Sequence, residues 1–544
     1  MPKQVRHDDL KQQMKMIKLK INNHSVEVPE GTTLLEAARQ LRIDIPTMCH
    51  LEGTAHFTSC MVCLVKDANN GRLMASCSMP AMEGMNIITD DAECRESRKA
   101  ALELLLSEHV GDCEAPCQLV CPAHMNIPLM NRLIAAGNFA KAIEVVKRDI
   151  ALPAILGRIC PAPCEAGCRR KQVDEPVSIC LLKGFTADQE LLKGAPFILE
   201  KEKSGRSVAI IGAGPAGLAA AYYLNKAGHQ VAIFEKNEKA GGDLLKIEES
   251  VLPAKVLETE INSILNSSIS VHYQVEVDQG KFQQLQQEYD AVILATGVPN
   301  NQLYGWGLVL SKNGVDVDKE TYQTSINKVF AIGNALRPSK LAVRSVGQGK
   351  ELAFILDRLF QTEELKADPS RFNSKFGKLA ETEFVEYLKE SVDTVRQQAS
   401  RSKAVGFTQE EAVAEAKRCL HCDCRNPESC KLRELSNRYG AEQKRFQYDD
   451  RLPVRKEFAD STLIYEPAKC IKCGICVRIT QQYQETFGFS FIGRGFDVKI
   501  GVPFNETVAK ALEKTAGLVA EKCPTGALAK VNTEEQINIS DTSS

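Results

Sequence analysis

Cysteine is the residue most able to do chemistry in this chain, which has 20 of them in distinct groups. Cys49, Cys60, Cys63 and Cys77 form the first group. Cys113, Cys117 and Cys121 follow at four-residue steps with His109 one step ahead, and Cys160, Cys164, Cys168 and Cys180 come next. Cys419, Cys422, Cys424 and Cys430 fall close together, and Cys470, Cys473, Cys476 and Cys523 complete the series. In a reducing compartment such grouping points to metal ligation rather than disulfides, because thiolates are soft anionic ligands for iron–sulfur cores and for zinc. Cys94, at a helix start in "DDAECRESRKAALELLL", lacks partners and reads as structural.

The stretch "CIKCGICVRIT" (470–480) opens like a four-iron ferredoxin run, but Thr480 stands where the fourth cysteine is due. Cys523, in "EKCPTGAL", is the expected fourth ligand for Cys470, Cys473 and Cys476. The group at 419–430 suits a [4Fe-4S] cluster or zinc, since a C-x-C pair serves both. His421 beside it reads as a bystander or a spare ligand.

A second chemical signal is "SVAIIGAGPAGLAAAYYLNKAGHQVAIFEKNEKAGG", a strand, a glycine-rich turn, a helix and a second strand ending in an acid. In that context Gly212, Ala213, Gly214, Pro215, Ala216 and Gly217 form a dinucleotide-binding turn, with the helix N-terminus supplying amides to a pyrophosphate. Glu235, followed by Lys236, is placed to hold ribose hydroxyls, and Gly241 and Gly242 make the form more typical of FAD than of NAD. Further along, "ATG" (Ala295, Thr296, Gly297) and "AIGNA" (Gly333, Asn334) complete the flavin site. No C-x4-C or C-x2-C lies beside it, so thiol–disulfide exchange is not indicated.

These groups have to be held by several domains, because 544 residues exceed what one core sustains. With 68 basic and 70 acidic residues the formal charge is -2, and no basic, aromatic-interleaved run marks a nucleic-acid partner. No apolar stretch approaches membrane-spanning length, so no membrane insertion and a cytoplasmic location are expected. Residues 16–48 alternate as a hairpin and continue as a Thr-capped helix, while 130–153 repeat at helical spacing and can bring the cysteines on either side together.

Several resemblances attach to these motifs. The first cysteine group, after its hairpin and helix, resembles the β-grasp [2Fe-2S] domain of complex I's large iron–sulfur subunit and of iron-only hydrogenases. "CP…IP" followed by "GRICPAPCEAGC" resembles the two-cluster helical domain of the glutamate synthase small subunit and of dihydropyrimidine dehydrogenase. That resemblance implies one [4Fe-4S] cluster on His109, Cys113, Cys117 and Cys168. It implies another on Cys121, Cys160, Cys164 and a fourth group, where the family has Gln or Glu and this chain has Lys183. Cys180, one helical turn earlier, is the expected substitute, its plain alternative being a small buried apolar residue. His109 in "SEHVGDC" is similar to the histidine ligand of complex I's large subunit, and is otherwise an ordinary polar residue. The C-terminal stretch with "GRGFD" resembles a double-cluster ferredoxin module from which one cluster's ligands are missing.

The expected fold is therefore multidomain α/β and α+β: a tail at 1–15, a [2Fe-2S] domain at 16–95, a helical domain with two [4Fe-4S] clusters at 96–200 and a Rossmann-like FAD domain at 205–360. A helical linker at 361–418, a four-cysteine metal site at 419–445, a ferredoxin-like [4Fe-4S] domain at 455–532 and a tail at 533–544 follow. Only about thirty residues separate Gly297 from Val329, too few for the NADPH-binding unit that resembling flavoproteins insert there. FAD, one [2Fe-2S] and three or four [4Fe-4S] clusters without a nicotinamide site suggest an electron-transfer subunit. Its expected partners are an NADH-oxidising flavoprotein and a hydrogenase, formate dehydrogenase or ferredoxin; an autonomous NAD(P)H-dependent flavoenzyme is the alternative.

Overall fold

The computed structural model describes residues 15–54, 58–194, 202–265, 268–298, 305–367, 370–446, 451–459 and 462–531. Apart from Lys15, both expected tails lie outside them. The chain divides into two compact units, one of residues 1–114, 371–386 and 423–544, the other of 115–370 and 387–422.

In the first unit β1 (Met16–Ile21) and β2 (His24–Pro29) pair as a hairpin, closed by Asn22 and Asn23, both in the left-handed region that such two-residue turns require. Ile17, Leu19 and Ile21 face inward, as their alternation dictates. Thr33 caps α1 (Leu34–Gln40) in a reciprocal box with Glu36. With β3 (Leu64–Asp67), β4 (Arg72–Ala75) and β5 (Asn86–Ile88) the sheet runs β2-β1-β5-β3-β4, parallel only between β1 and β5. α2 (Ala92–Glu108) begins at Asp91, whose carboxylate accepts from the Cys94 amide at 2.8 Å, and the Cys94 thiol is buried against Ile88 O.

The second unit starts with helices α3 (Ile127–Ala135), α4 (Phe139–Asp149), α5 (Pro153–Ile159) and α6 (Ile179–Leu192). α5 and α6 cross so closely that a Cβ on Gly157 would lie 2.6 Å from Gly184 Cα, which fixes glycine at the crossing. Next comes a parallel sheet of β6 (Ser207–Ile211), β7 (Gln230–Phe234), β8 (Ser270–His272), β9 (Ala291–Leu294) and β12 (Val329–Ala331), ordered β12-β9-β6-β7-β8. Their near-continuous apolar runs suit strands buried on both faces, one by α7 (Pro215–Lys226), on which α8 (Ala342–Thr362) packs, the other by Phe282 and Leu285 of the helix Gln279–Glu288. Between β9 and β12 the described residues form a small hairpin of β10 (Leu310–Ser311) and β11 (Gly314–Val315). α9 (Gln409–Ala416) completes the unit.

The last part of the first unit contributes α10 (Lys431–Tyr439), the three-stranded sheet β13 (Glu457–Ala459), β14 (Leu463–Tyr465) and β17 (Leu528–Lys530), α11 (Ile475–Gln482), the ribbon β15 (Ser490–Ile492) and β16 (Lys499–Gly501), and α12 (Ala516–Lys522). Among the described residues no helix is long and apolar enough to cross a membrane.

Arg98 of α2 ties the first unit's two ends together. Only 2% exposed, it donates to Leu64 O (2.7 Å), Thr89 O (2.6 Å) and the Tyr439 hydroxyl (3.1 Å). Replacing it with Met leaves two buried carbonyls unpaired, and the expected loss of stability is on the order of 3 kcal/mol, read as a lower urea midpoint for the full chain's first transition; an unchanged midpoint refutes the role.

Candidate functional site

In the first unit Cys49, Cys60, Cys63 and Cys77 are all buried and mutually in contact. The sheet sets part of this up: Leu64 and Ala75 pair across β3 and β4, so the flanking Cys63 and Cys77 leave the hairpin side by side. Ser76 donates through its hydroxyl to Cys63 O at 2.8 Å, and Arg478 of α11 donates to Cys49 O at 2.6 Å. The Cys60 and Cys77 thiols donate to the Cys49 sulfur and hold it far below the ordinary thiol range, and Cys77 lowers Cys63 to about 7. Cys60 and Cys77 are pushed up in turn. Four sulfurs sharing protons in this way form a ready set of soft anionic ligands.

A second group in the same unit joins residues distant in sequence. Cys424 N donates to Cys113 O at 3.2 Å, and the Cys430 thiol, at the cap of α10, is raised to about 12 by burial and then by Cys424 and Cys113. Cys113 is raised to about 11 by burial and by Cys424, while Ser374 N donates to its sulfur at 3.3 Å. His109 ends α2, with Nδ1 3.1 Å from Lys469 O. A carbonyl only accepts, so Nδ1 carries the proton and Nε2 keeps its lone pair, the usual arrangement of a metal-ligating imidazole. Burial, with the Lys469 ammonium, lowers its pKa to about 4 and keeps it neutral. The same Lys469 feels the charge of Cys424, which links His109 to this sulfur set.

Cys470, Cys473, Cys476 and Cys523 form the unit's third set. Burial raises the first three, Cys470 to about 12, and each also feels the Cys523 charge. Cys473 further feels Cys49, and both sit in one apolar core with Cys60 and Cys430.

In the second unit Cys121, Cys160, Cys164 and Cys180 surround Lys183. The Cys160 and Cys180 sulfurs are hydrogen-bonded to each other and Cys164 to Cys180. Complete burial would lower Lys183, but Cys180, Cys160, Cys164 and Cys121 hold it above its ordinary value, and Nζ donates to Cys180 Sγ at 3.8 Å. Cys117, Cys168, Cys419 and Cys422 line one separate cavity. The structure thus divides two sequence groupings. Cys419 and Cys422 fall in the second unit and Cys424 and Cys430 in the first. The expected set of His109, Cys113, Cys117 and Cys168 is divided likewise, after Glu114.

Sequence reasoning missed Ser374, Lys469, Asn131 and Gly526. Gly526 had a legible signal in "CPTGA": a Cβ there would lie 2.2 Å from Cys424 Sγ, so glycine is what admits that sulfur. Among the described residues no three His, Cys, Asp or Glu side chains converge on a single-ion point.

The glycine turn lies between β6 and α7. Gly212, at φ 107, meets Ala295 at its back, where a Cβ would fall 2.5 Å from Ala295 O, and a Cβ on Gly217 would fall 2.0 Å from Gly212 O. Gly214 differs: its backbone is ordinary (φ -79, ψ -177), and a Cβ would meet nothing within 4 Å. The protein's own packing therefore does not demand glycine there, whereas a pyrophosphate approaching the backbone does. Buried Thr296 Oγ1, beside Gly297, has no partner among the described residues. Glu235 is occupied by backbone, accepting from Ala213 N at 2.8 Å and Asn237 N at 2.9 Å, so it braces the turn; Lys236 is exposed. Gly333 N donates to Gln348, and Asn334 Oδ1 accepts from Ser339 N. These residues fit FAD, with Gly212, Ala213, Gly214, Pro215, Ala216, Gly217 and Gly242 around the turn. Gly214→Val is expected to leave far-UV circular dichroism unchanged while cutting bound flavin by more than about tenfold, measured from the absorbance of purified chain; full flavin content refutes the reading.

Four family models match in succession. Residues 14–92 match the 2Fe-2S iron–sulfur cluster binding domain, 104–195 dihydropyrimidine dehydrogenase domain II with its 4Fe-4S cluster, 197–349 the pyridine nucleotide-disulphide oxidoreductases, and 462–529 the ferredoxin-like domain of NADH-quinone oxidoreductase subunit 3. Among curated relatives, the NADPH-Fe(3+) oxidoreductase subunit beta of Geobacter sulfurreducens is 32% identical over 47% of this chain and 40% of its own length. The NADP(+)-dependent formate dehydrogenase subunit beta of Moorella thermoacetica is 40% identical over 34% of this chain and 29% of its own. The glutamate synthase [NADPH] small chain of Bacillus subtilis is 34% identical over 34% and 40%. The chain spans less than half the length of these relatives. It is a fusion of a two-iron ferredoxin domain, a helical four-iron domain and a flavoprotein dinucleotide fold like those of glutamate synthase small chains and dihydropyrimidine dehydrogenase, and a ferredoxin domain like that of complex I's large iron–sulfur subunit.

Proposed function

We propose that this chain is the iron–sulfur flavoprotein subunit of a cytoplasmic multi-subunit oxidoreductase, carrying electrons between an NADH-oxidising flavoprotein subunit and a second redox partner. That partner would be a hydrogenase, a formate dehydrogenase or a ferredoxin. The observation that carries the reading is that one apolar core of the first unit contains both Cys49 and Cys473, from two different sulfur sets, with the Cys49 charge contributing to the raised Cys473 pKa. When bound, the clusters would supply one-electron exchange, and the flavin one- or two-electron exchange, the property on which a bifurcating role would rest.

The chain's own residues set the conditions for that exchange. Cys49, Cys60, Cys63 and Cys77 would hold the two-iron cluster, and Cys470, Cys473, Cys476 and Cys523 a neighbouring four-iron one. Thr525 donates to Lys469 O at 3.1 Å, the carbonyl that also fixes His109, so one backbone group connects the Cys523 strand to the His109, Cys113, Cys424 and Cys430 set. In the second unit Cys121, Cys160, Cys164 and Cys180 lie against the flavin fold: a Cβ on Gly347 of α8 would fall 2.5 Å from Pro122 O, and Lys350 of α8 donates to Ala123 O at 2.7 Å. The short segment between Gly297 and Val329 gives no room for a nicotinamide-binding unit, so reducing equivalents would enter through a partner.

Anaerobic purification of the full chain tests this directly. FAD, iron and sulfide should copurify with little zinc, and NADH or NADPH alone should reduce the chain far more slowly than dithionite does. One zinc per cysteine group without sulfide would exclude electron transfer, and rapid reduction by either nucleotide would favour an autonomous NAD(P)H-dependent flavin oxidoreductase. Within the same preparation, Cys180→Ala should remove or convert one [4Fe-4S] signal in low-temperature EPR at unchanged FAD content; an intact spectrum would show that Cys180 is not a ligand.

A further inference from the structure

We propose that Cys117, Cys168, Cys419 and Cys422 together ligate one [4Fe-4S] cluster, and that the Asn131 side-chain amide donates a hydrogen bond to a sulfur of it. The inference rests on the iron–sulfur reading above and adds a ligand set that neither sequence spacing nor family resemblance assigns.

The four cysteines line one cavity of the second unit. They arrive from three separate pieces of backbone. Cys117 sits in a single helical turn, Pro116–Leu119; Cys168 precedes the turn Arg169–Gln172; Cys419 and Cys422 follow α9. Two fully buried guanidinium groups fasten these pieces. Arg170, two residues after Cys168, donates to Arg418 O at 2.9 Å, the carbonyl immediately before Cys419. Arg418 donates to Glu175 O at 2.9 Å and to Asp174 at 3.1 Å, and Asp174 also takes Arg170 at 2.7 Å. The Cys419 loop is thereby pinned to the Cys168 turn from both directions by buried, paired charge.

Asn131 supplies the second, independent observation. It lies on α3, is 1% exposed and lines the same cavity, yet neither Nδ2 nor Oδ1 has a hydrogen-bond partner among the described residues. The remaining walls are largely apolar, Ile127, Val177 and Ile179 among them. An amide left unpaired in such surroundings is costly, so an acceptor belongs inside the cavity. Cluster sulfurs are acceptors, and hydrogen bonds to them raise a cluster's reduction potential. Asn131 is accordingly a positioning and tuning residue rather than a ligand.

The test uses the full chain purified anaerobically as Cys117→Ser, Cys419→Ser and the double variant. Each single change should remove one four-iron complement of iron and sulfide at unchanged FAD, and the double variant should lose no more, since both residues serve one cluster. A double variant that loses twice as much overturns the assignment. Cys168→Ser with Cys422→Ser repeats the comparison if the first pair fails to fold, as loss of FAD would reveal. Asn131→Leu should keep the iron while moving one cluster's midpoint to a more negative potential in an EPR-monitored titration; an unmoved midpoint overturns the role of Asn131. Zinc at these four cysteines, with sulfide retained elsewhere, overturns this proposal alone, whereas absence of all sulfide overturns the iron–sulfur reading itself.

Discussion

A sulfur anion taken out of water beside three others must have positive charge among them, and most of this molecule's architecture follows from that requirement. Burial and neighbouring charges push Cys113 to about 11 and Cys430 and Cys470 to about 12, and Cys180, lowered by its hydrogen bond with Cys160, is raised to about 12 by that with Cys164 and by burial, so the bare polypeptide would hold these sulfurs as thiols. The iron–sulfur cores belonging to the matched domains carry the missing countercharge, much as any bound metal inverts the local pKa logic. The fold's task is to gather ligands from remote stretches and keep water out.

Side chains contribute the rest of the compensation. Lys183 stands beside Cys180, buried, in the position where resembling proteins carry a neutral or acidic ligand, and the surrounding sulfurs keep it charged. Arg433 has a comparable place near Cys113. Burial would lower its pKa, but Cys113 and Glu114 hold it up, and Nε donates to Phe372 O at 2.9 Å. These cations are anchored by their own hydrogen bonds, so the positive field is built into the scaffold instead of being recruited from solvent. Two sulfur sets with different cationic neighbours need not share one potential, which is what a sequence of electron carriers requires.

What could be read from the sequence was what is local. The Gly212–Gly217 turn lies within one β-α unit, and the Cys49, Cys60, Cys63 and Cys77 set is closed by one small sheet, so spacing and alternation carried both. The 419–430 cysteines show where that logic ends. Their density invites a single site, yet the chain passes from the second unit to the first between Cys422 and Asp423, just after His421 takes a left-handed conformation. Cys419 and Cys422 therefore lie among second-unit residues, and Cys424 and Cys430 among first-unit ones. Nothing in the spacing encodes that division, because it depends on Arg170 and Arg418 in one unit and on Cys113 and Gly526 in the other. Asn131 was equally hidden, being an unremarkable polar residue on a helix until its cavity is known.

Thr480 connects these points. In a double-cluster ferredoxin pattern its place belongs to a cysteine, but here it is 1% exposed, donates to Val477 O at 3.0 Å and accepts from Phe489 N at 3.1 Å. The hydroxyl closes the end of α11 onto the strand that follows, and Gly488 leaves space for it. A position that would otherwise carry an extra anion thus contributes a neutral hydrogen bond to the same apolar core that contains Cys49, Cys60, Cys430 and Cys473. That core joins Met48, Cys49, Cys60 and Val62 to α2, α10, α11 and α12, while the N-terminal sheet has an apolar core of its own, and Arg478 of α11 ties the two stretches by donating to Cys49 O at 2.6 Å. Electron exchange falls steeply with separation, and a shared core fixes the separations between sulfur sets more firmly than a linker could. Thr480, standing where a double-cluster pattern has a ligand, thus serves the packing of α11 against the ribbon that follows.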